Sequence, residues 1–181
     1  MKTLLLGMGN PILSDDAVGL RLAADIGRRL AALPDLTVCA DCSVGGLDVL
    51  GVLEGYARAI VLDSIQTRGG APGAWHAFDA TALRETLHLT NVHDANFATA
   101  LELGRRLGMD LPAPPAIHIL AVEVEDVATF SEHLTPALAA RYPALADEIF
   151  AEVRRLLAAS PPAFVAAPLA ARDRAMAVAA P

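Results

Sequence analysis

Four side chains in this sequence could act together. They are Asp15 and Asp16 in the run GMGNPILSDDAVG at 7–19, Asp63 at the end of ARAIVLD (57–63), and His93 in TNVHD (90–94). Carboxylates and an imidazole are hard-to-borderline ligands. Together they suit a divalent ion such as Ni²⁺ or Zn²⁺, with coordination positions left over for water or substrate. Alone, each has a plainer use, because an aspartate at a helix start usually caps it and a lone loop histidine is usually solvated. What singles them out is position, since each follows an element whose end could lie on one edge of a common sheet.

Those elements can be read from the apolar pattern. Leu4, Leu5 and Leu6, stopped by Gly7, form a run too short for a helix and suited to a strand buried on both faces. Gly7, Gly9 and Pro11 hold a tight turn, and Ser14, Asp15 and Asp16 stand where helix caps and first-turn acids belong. Val18, Leu22, Ile26 and Leu30 recur every four residues, which predicts a helix over 17–33. Further strands are predicted over 36–42, 57–63, 74–78 and 116–124, the fourth of the five lying antiparallel or at an edge. Short helices are predicted over 47–53 and 79–87. A longer one follows the polar segment 90–94, buries Phe97, Leu101 and Leu107, and closes at Gly108. Thr135 caps a last helix with Pro136 at its first position and Leu138, Tyr142, Leu145, Ile149, Val153 and Leu156 in helical steps.

Strands alternating with helices give an α/β class, a three-layer α/β/α sandwich around a largely parallel twisted sheet of about five strands. In such a sheet, residues just past the C-terminal ends of the strands converge on one crevice, which is where Asp15, Asp16, Asp63 and His93 would meet. The domain is expected over residues 1–157, and 158–181 reads as a loosely ordered alanine- and proline-rich tail.

Composition narrows the function. The chain has 181 residues, 54% of them apolar and only 4% aromatic, which predicts one domain with an aliphatic core. A net charge of −7 argues against a non-specific nucleic-acid binder, which needs a basic face. Lys2 and the three leucines do not amount to a secretory leader, because Gly7, Gly9, Asn10 and Pro11 break the apolar stretch, so a cytoplasmic protein is expected. Cys39 and Cys42 form a C-x-x-C without the helix start of a redox site or the second pair of a zinc site, and read as small buried residues. Gly7-Met8-Gly9 has Ile12 where a dinucleotide fingerprint has its third glycine, and Ser43 has Asp41 where a nucleophile elbow has glycine. His76 and His118 fall in strands, and His88 and His133 read as surface residues.

With these residues in view, the chain resembles the hydrogenase maturation endopeptidases. The run from Gly7 to Gly19 is similar to that family's G-x-G-N-x-L-x-x-D-(D/E)-x-x-G signature. The likeness continues in LEGYARAIVLD at 53–63, in the histidine segment at His93, and in AVEVE at 121–125, covering roughly residues 3–157. The resemblance implies an α/β/α fold and an endopeptidase that removes a C-terminal peptide from the nickel-loaded large-subunit precursor of a nickel-iron hydrogenase. It also implies that Asp16, Asp63 and His93 engage the metal and carry catalysis. Asp15 matches the family's first acid, which is not the usual ligand, and is expected to cap or support. Ni²⁺ would arrive on the precursor, so no resident metal is required, and a monomer is favoured. Two departures stand out: Cys42 occupies a position where many members have glycine, and Val124 replaces a proline near the fifth strand.

Two other readings compete. Peptidyl-tRNA hydrolase also opens with G-x-G-N-P, but it needs a histidine soon after that motif and a basic face, and this chain has no histidine before His76. The alternative from another class is a non-proteolytic nickel-binding or inspection module that uses the same three ligands without cutting.

Overall fold

The computed structural model describes residues 1–41, 47–82 and 92–159, the side chains of 92–96 excepted. Five strands form the sheet: β1 (Thr3–Gly7), β2 (Leu36–Cys39), β3 (Arg58–Ile65), β4 (Trp75–Asp79) and β5 (Ile117–Glu123). Their order is β2-β1-β3-β5-β4, with every pairing parallel except β4 against β5. The fourth strand is therefore both antiparallel and at an edge.

Helices α1 (Val18–Arg29) and α4 (Pro136–Ala158) cover one face, and α2 (Asp48–Leu53) and α3 (Val92–Arg106) the other. Strand alternation divides the core accordingly. Leu5, Ile60, Leu62, Leu120 and Val122 pack with Val18, Leu22, Ile26, Leu145 and Ile149. Leu4, Leu6, Val61, Ile119 and Ala121 pack with Leu50, Leu53, Phe97 and Leu101. The central strands β1 and β3 begin with five consecutive buried residues each, the signature of strands covered on both faces. No helix among the described residues is long and apolar enough to cross a membrane.

Several boundaries differ from the sequence expectation. The first helix ends at Arg29, because Leu30 leaves the helical conformation and Leu33 is exposed. β2 stops at Cys39 as a short edge strand, and residues 42–46 lie outside the description. Leu107 is 70% exposed rather than buried, since α3 ends one residue earlier. Gly108 (φ 78°) then turns the chain in the left-handed region. Of the expected 79–87 helix, residues 83–87 fall outside the described residues. Thr135 does cap α4, its hydroxyl accepting from Leu138 N–H, and Pro136 sits at the first turn.

Two glycines let α1 and the turn before it press onto the sheet edge. A Cβ on Gly19 would stand 2.3 Å from the Leu62 carbonyl oxygen and 2.4 Å from that of Met8. Gly9 (φ 130°) would put a Cβ 1.9 Å from the Asp16 carbonyl oxygen. Both contacts are to backbone, so no side chain can swing aside. Gly19→Ala should therefore cost about 3 kcal/mol of stability, read as a lower urea midpoint at unchanged slope. A midpoint equal to that of the unaltered protein would show that α1 can lift without penalty.

Candidate active site at the strand edge

The crevice lies past the C-terminal ends of β1 and β3. The chain leaves β1 through the glycine turn and enters a 3-10 turn, Ser14–Ala17, before α1. Successive residues of a 3-10 turn point about 120° apart, so the neighbouring aspartates face different surroundings. Asp16 faces the crevice. Its Oδ2 accepts from the Asn10 backbone N–H at 2.8 Å, and its Oδ1 from the Ser64 hydroxyl at 2.7 Å. Asp63 lies in β3 between Val61 and Ile65 in the alternation, on the sheet face that α3 covers. Its Oδ1 accepts from the Ser64 backbone N–H at 2.8 Å. One serine thus touches both carboxylates, its amide on Asp63 and its hydroxyl on Asp16. Sequence reasoning recorded Ser64 only as the residue after a strand-ending aspartate. A hydroxyl one position past a candidate ligand is the signal that could have flagged it.

Asp15 does something else. It is fully buried (0% exposed), and its carboxylate accepts four hydrogen bonds. Thr135 N–H and Thr135 hydroxyl donate at 2.7 and 2.9 Å, and the amides of Glu125 and Asp126 at 3.2 and 3.3 Å. It therefore fixes the segment between β5 and α4. None of Ser14, Asp15 and Asp16 caps the following helix through its side chain, contrary to the sequence expectation. The 3-10 turn moves the helix start to Val18, and the two aspartates are spent on other partners. Ser14 sits in the left-handed region (φ 45°), held there by its amide on the Ser131 carbonyl and its hydroxyl on the His133 carbonyl.

His93 was expected in a loop after the fourth strand. Its backbone instead belongs to the first turn of α3, which packs on the same sheet face as Asp63. The His93 side chain lies outside the described residues. Among the described residues no three His, Cys, Asp or Glu side chains are grouped closely enough to hold a metal ion. The two carboxylates brought together, Asp16 and Asp63, offer the oxygen part of a hard-ligand set, each oriented by hydrogen-bond donors as metal-binding carboxylates commonly are. Cys39 is disulfide-bonded rather than a free buried thiol, and Cys42 lies outside the described residues.

A second buried acid stands one strand further on. Glu123, at the end of β5 and 2% exposed, accepts from Thr67 N–H (3.1 Å) and the Thr67 hydroxyl (2.6 Å), with the His76 ring nitrogen at 3.0 Å. Burial pushes its carboxyl up, but the bonds from the Thr67 hydroxyl, the His76 ring and the Thr67 amide outweigh burial and hold it below the usual value of 4.5. A depressed carboxyl stabilises the fold above the unfolded-state value, and that contribution fades as pH falls through the folded-state value. The stability gap between the unaltered protein and Glu123→Gln should accordingly be largest above about pH 5 and shrink toward pH 3. Paired urea melts across that range check it; a gap independent of pH would mean that Glu123 is not ionised in the fold.

The comparisons with known proteins fit this frame. The fold is that of the hydrogenase maturation endopeptidases. The structure superposes on the hydrogenase-maturating endopeptidase HybD from Escherichia coli with a TM-score of 0.66 at 22% identity, covering 86% of this chain and 93% of that one. On the maturation protease HybD from Thermococcus kodakarensis the TM-score is 0.56 at 21% identity, covering 84% and 99%. In sequence, the hydrogenase 2 maturation protease of Escherichia coli K12 is 34% identical over 73 residues, which is 40% of this chain and 44% of that relative. The aligned stretch thus spans less than half of the relative's length. Residues 21–152 match the hydrogenase maturation protease family, and the chain belongs to that family.

Proposed function

We propose that this protein is an endopeptidase that removes a C-terminal peptide from the nickel-loaded large-subunit precursor of a nickel-iron hydrogenase, acting in the cytoplasm. The observation that carries the reading is the pair Asp16 and Asp63, joined through Ser64 at the C-terminal edge of the sheet in a member of this family. Nickel is cargo of the precursor in this account. Asp16, Asp63 and His93 engage it when the precursor docks, which sets the scissile peptide bond against the crevice.

The chain's own residues then have distinct tasks. Ser64 and Asn10 hold the Asp16 carboxylate in one orientation, so that the site is formed before the precursor arrives. A carboxylate that accepts only hydrogen bonds stays an anion and can take a proton from an attacking water. Peptide hydrolysis needs only that water, a group to take its proton and a group to protonate the leaving amine, so no serine or cysteine nucleophile enters the scheme.

Nickel dependence is tested by presenting the same precursor in nickel-loaded and nickel-free forms and following its gel mobility. The account expects processing of the loaded form alone. Equal processing of both would remove the metal from recognition and leave a protease that reads the polypeptide only.

A further inference from the structure

The segment between β5 and α4 is built more firmly than a connection requires. Its start and end hang on the buried Asp15 carboxylate through Glu125 N–H, Asp126 N–H, Thr135 N–H and the Thr135 hydroxyl. Asp126 folds back to accept from the Ala128 and Thr129 amides, both at 2.9 Å. Ser131 N–H donates to the Ile12 carbonyl at 3.0 Å, and Ser14 N–H to the Ser131 carbonyl at 2.8 Å, which makes a parallel bridge of Leu13 with Ser131. The Ser14 and Ser131 hydroxyls both donate to the His133 carbonyl, and the Arg21 guanidinium to that of Glu132.

What this scaffold holds in water is apolar. Phe130 is 80% exposed and Ile12 46%. The bridge sets them side by side, since each immediately precedes a bridge partner. A large aromatic side chain is costly to keep in solvent, and a rigid backbone denies it the collapse a loose loop would allow. Single exposed apolar residues need no explanation, but two held together beside a functional site do.

The patch is continuous with the crevice. The Ile12 amide donates to the Asn10 side chain, and the Asn10 amide donates to Asp16 Oδ2. Leu13 also accepts from the Asp16 amide. Around the apolar pair the segment carries Glu125, Asp126 and Glu132, an acidic rim on a chain of net charge −7. An exposed aromatic and aliphatic anchor within a charged rim has the composition of a binding hot spot.

We infer that Phe130 and Ile12 form the docking patch for the protein substrate, inserting into an apolar pocket with a basic rim on the folded precursor beside the segment to be cut. This rests on the function proposed above. In it, specificity for a folded partner resides outside the carboxylate site, and the Asp15 network exists to present the patch at a fixed distance from Asp16. The acidic rim steers encounter with the basic one, so association should slow as salt is raised.

The test measures binding and single-substrate kinetics of the nickel-loaded precursor with the unaltered protein, Phe130→Glu, Phe130→Leu, Ile12→Glu and Leu107→Glu. Leu107 is a control, as exposed as the patch but beyond the end of α3. Phe130→Glu should raise Kd and KM at least tenfold with kcat and the melting temperature held. Ile12→Glu should move the same way by less, Phe130→Leu should recover most of the loss, and Leu107→Glu should change nothing. Unchanged KM in Phe130→Glu, or a fall in kcat alone, would overturn the inference. So would a Phe130-dependent dimer of this chain in sedimentation, because the patch would then belong to a second copy. If the unaltered protein neither binds nor cuts the precursor, the proposed function falls together with its docking patch. If the unaltered protein cuts and Phe130→Glu matches it, only the patch falls.

Discussion

Asp16→Asn should lower the single-turnover rate of precursor processing by roughly 10²–10³-fold while leaving the fold intact. The substitution keeps the shape of the side chain and removes its charge. An amide offers one acceptor oxygen where the carboxylate offers two, so either the Asn10 amide or the Ser64 hydroxyl would face an N–H₂ donor instead. That mismatch costs about 1 kcal/mol of stability, far less than the catalytic loss. Ser64→Ala separates orientation from charge. It removes the hydroxyl that bridges toward Asp16 but leaves the Ser64 amide on Asp63, and should cost roughly tenfold in rate. Rapid-quench assays of both variants, beside their urea melts, decide the matter. A processing rate in Asp16→Asn within a factor of three of the unaltered protein would mean that this carboxylate takes no part in chemistry.

Asp15→Ala, one residue away, should do the opposite. Its expected effect is a loss of about 4 kcal/mol in stability, because three backbone amides and one hydroxyl would be left buried around an empty acceptor position. For a chain of this size that corresponds to a melting temperature lower by roughly 10 °C. Asp15→Asn retains one acceptor and should fall between the two. The segment holding Phe130 should be the first part to open, seen as faster amide exchange at 125–135 than elsewhere. A melting temperature within about 2 °C of the unaltered protein would show that the four bonds are replaced by water at little cost.

The contrast between these neighbours marks how much the sequence could tell. The central strands were legible because Leu4–Leu6, Ala59–Leu62 and Ile117–Leu120 are uninterrupted apolar runs, a pattern that only strands covered on both faces require. The antiparallel edge position of β4 was legible for the converse reason, its short and partly polar pattern. The ends of α1 and β2 were not, since terminal turns are decided by packing and by Pro34, not by periodicity. Asp15 and Asp16 look alike in sequence, and both stood at positions that favour caps. Which one turns inward is set by the 3-10 turn and by partners more than a hundred residues away in the chain, Glu125 and Thr135, and no local pattern encodes that. Ser64 escaped notice because its role depends on an aspartate 48 residues earlier. Phe130 escaped because an aromatic residue in a polar stretch carries no sign of whether it is buried or presented.

The central claim is that the crevice at Asp16 and Asp63 cuts a precursor. Its most direct test is the intact mass of nickel-loaded large-subunit precursor after incubation with this protein and, in parallel, with Asp16→Asn. The account predicts that the unaltered protein alone shortens the precursor by one discrete C-terminal peptide, and that the variant leaves its mass unchanged. A precursor that binds the unaltered protein yet keeps its full mass would contradict the claim, and would leave a module that inspects nickel without cutting.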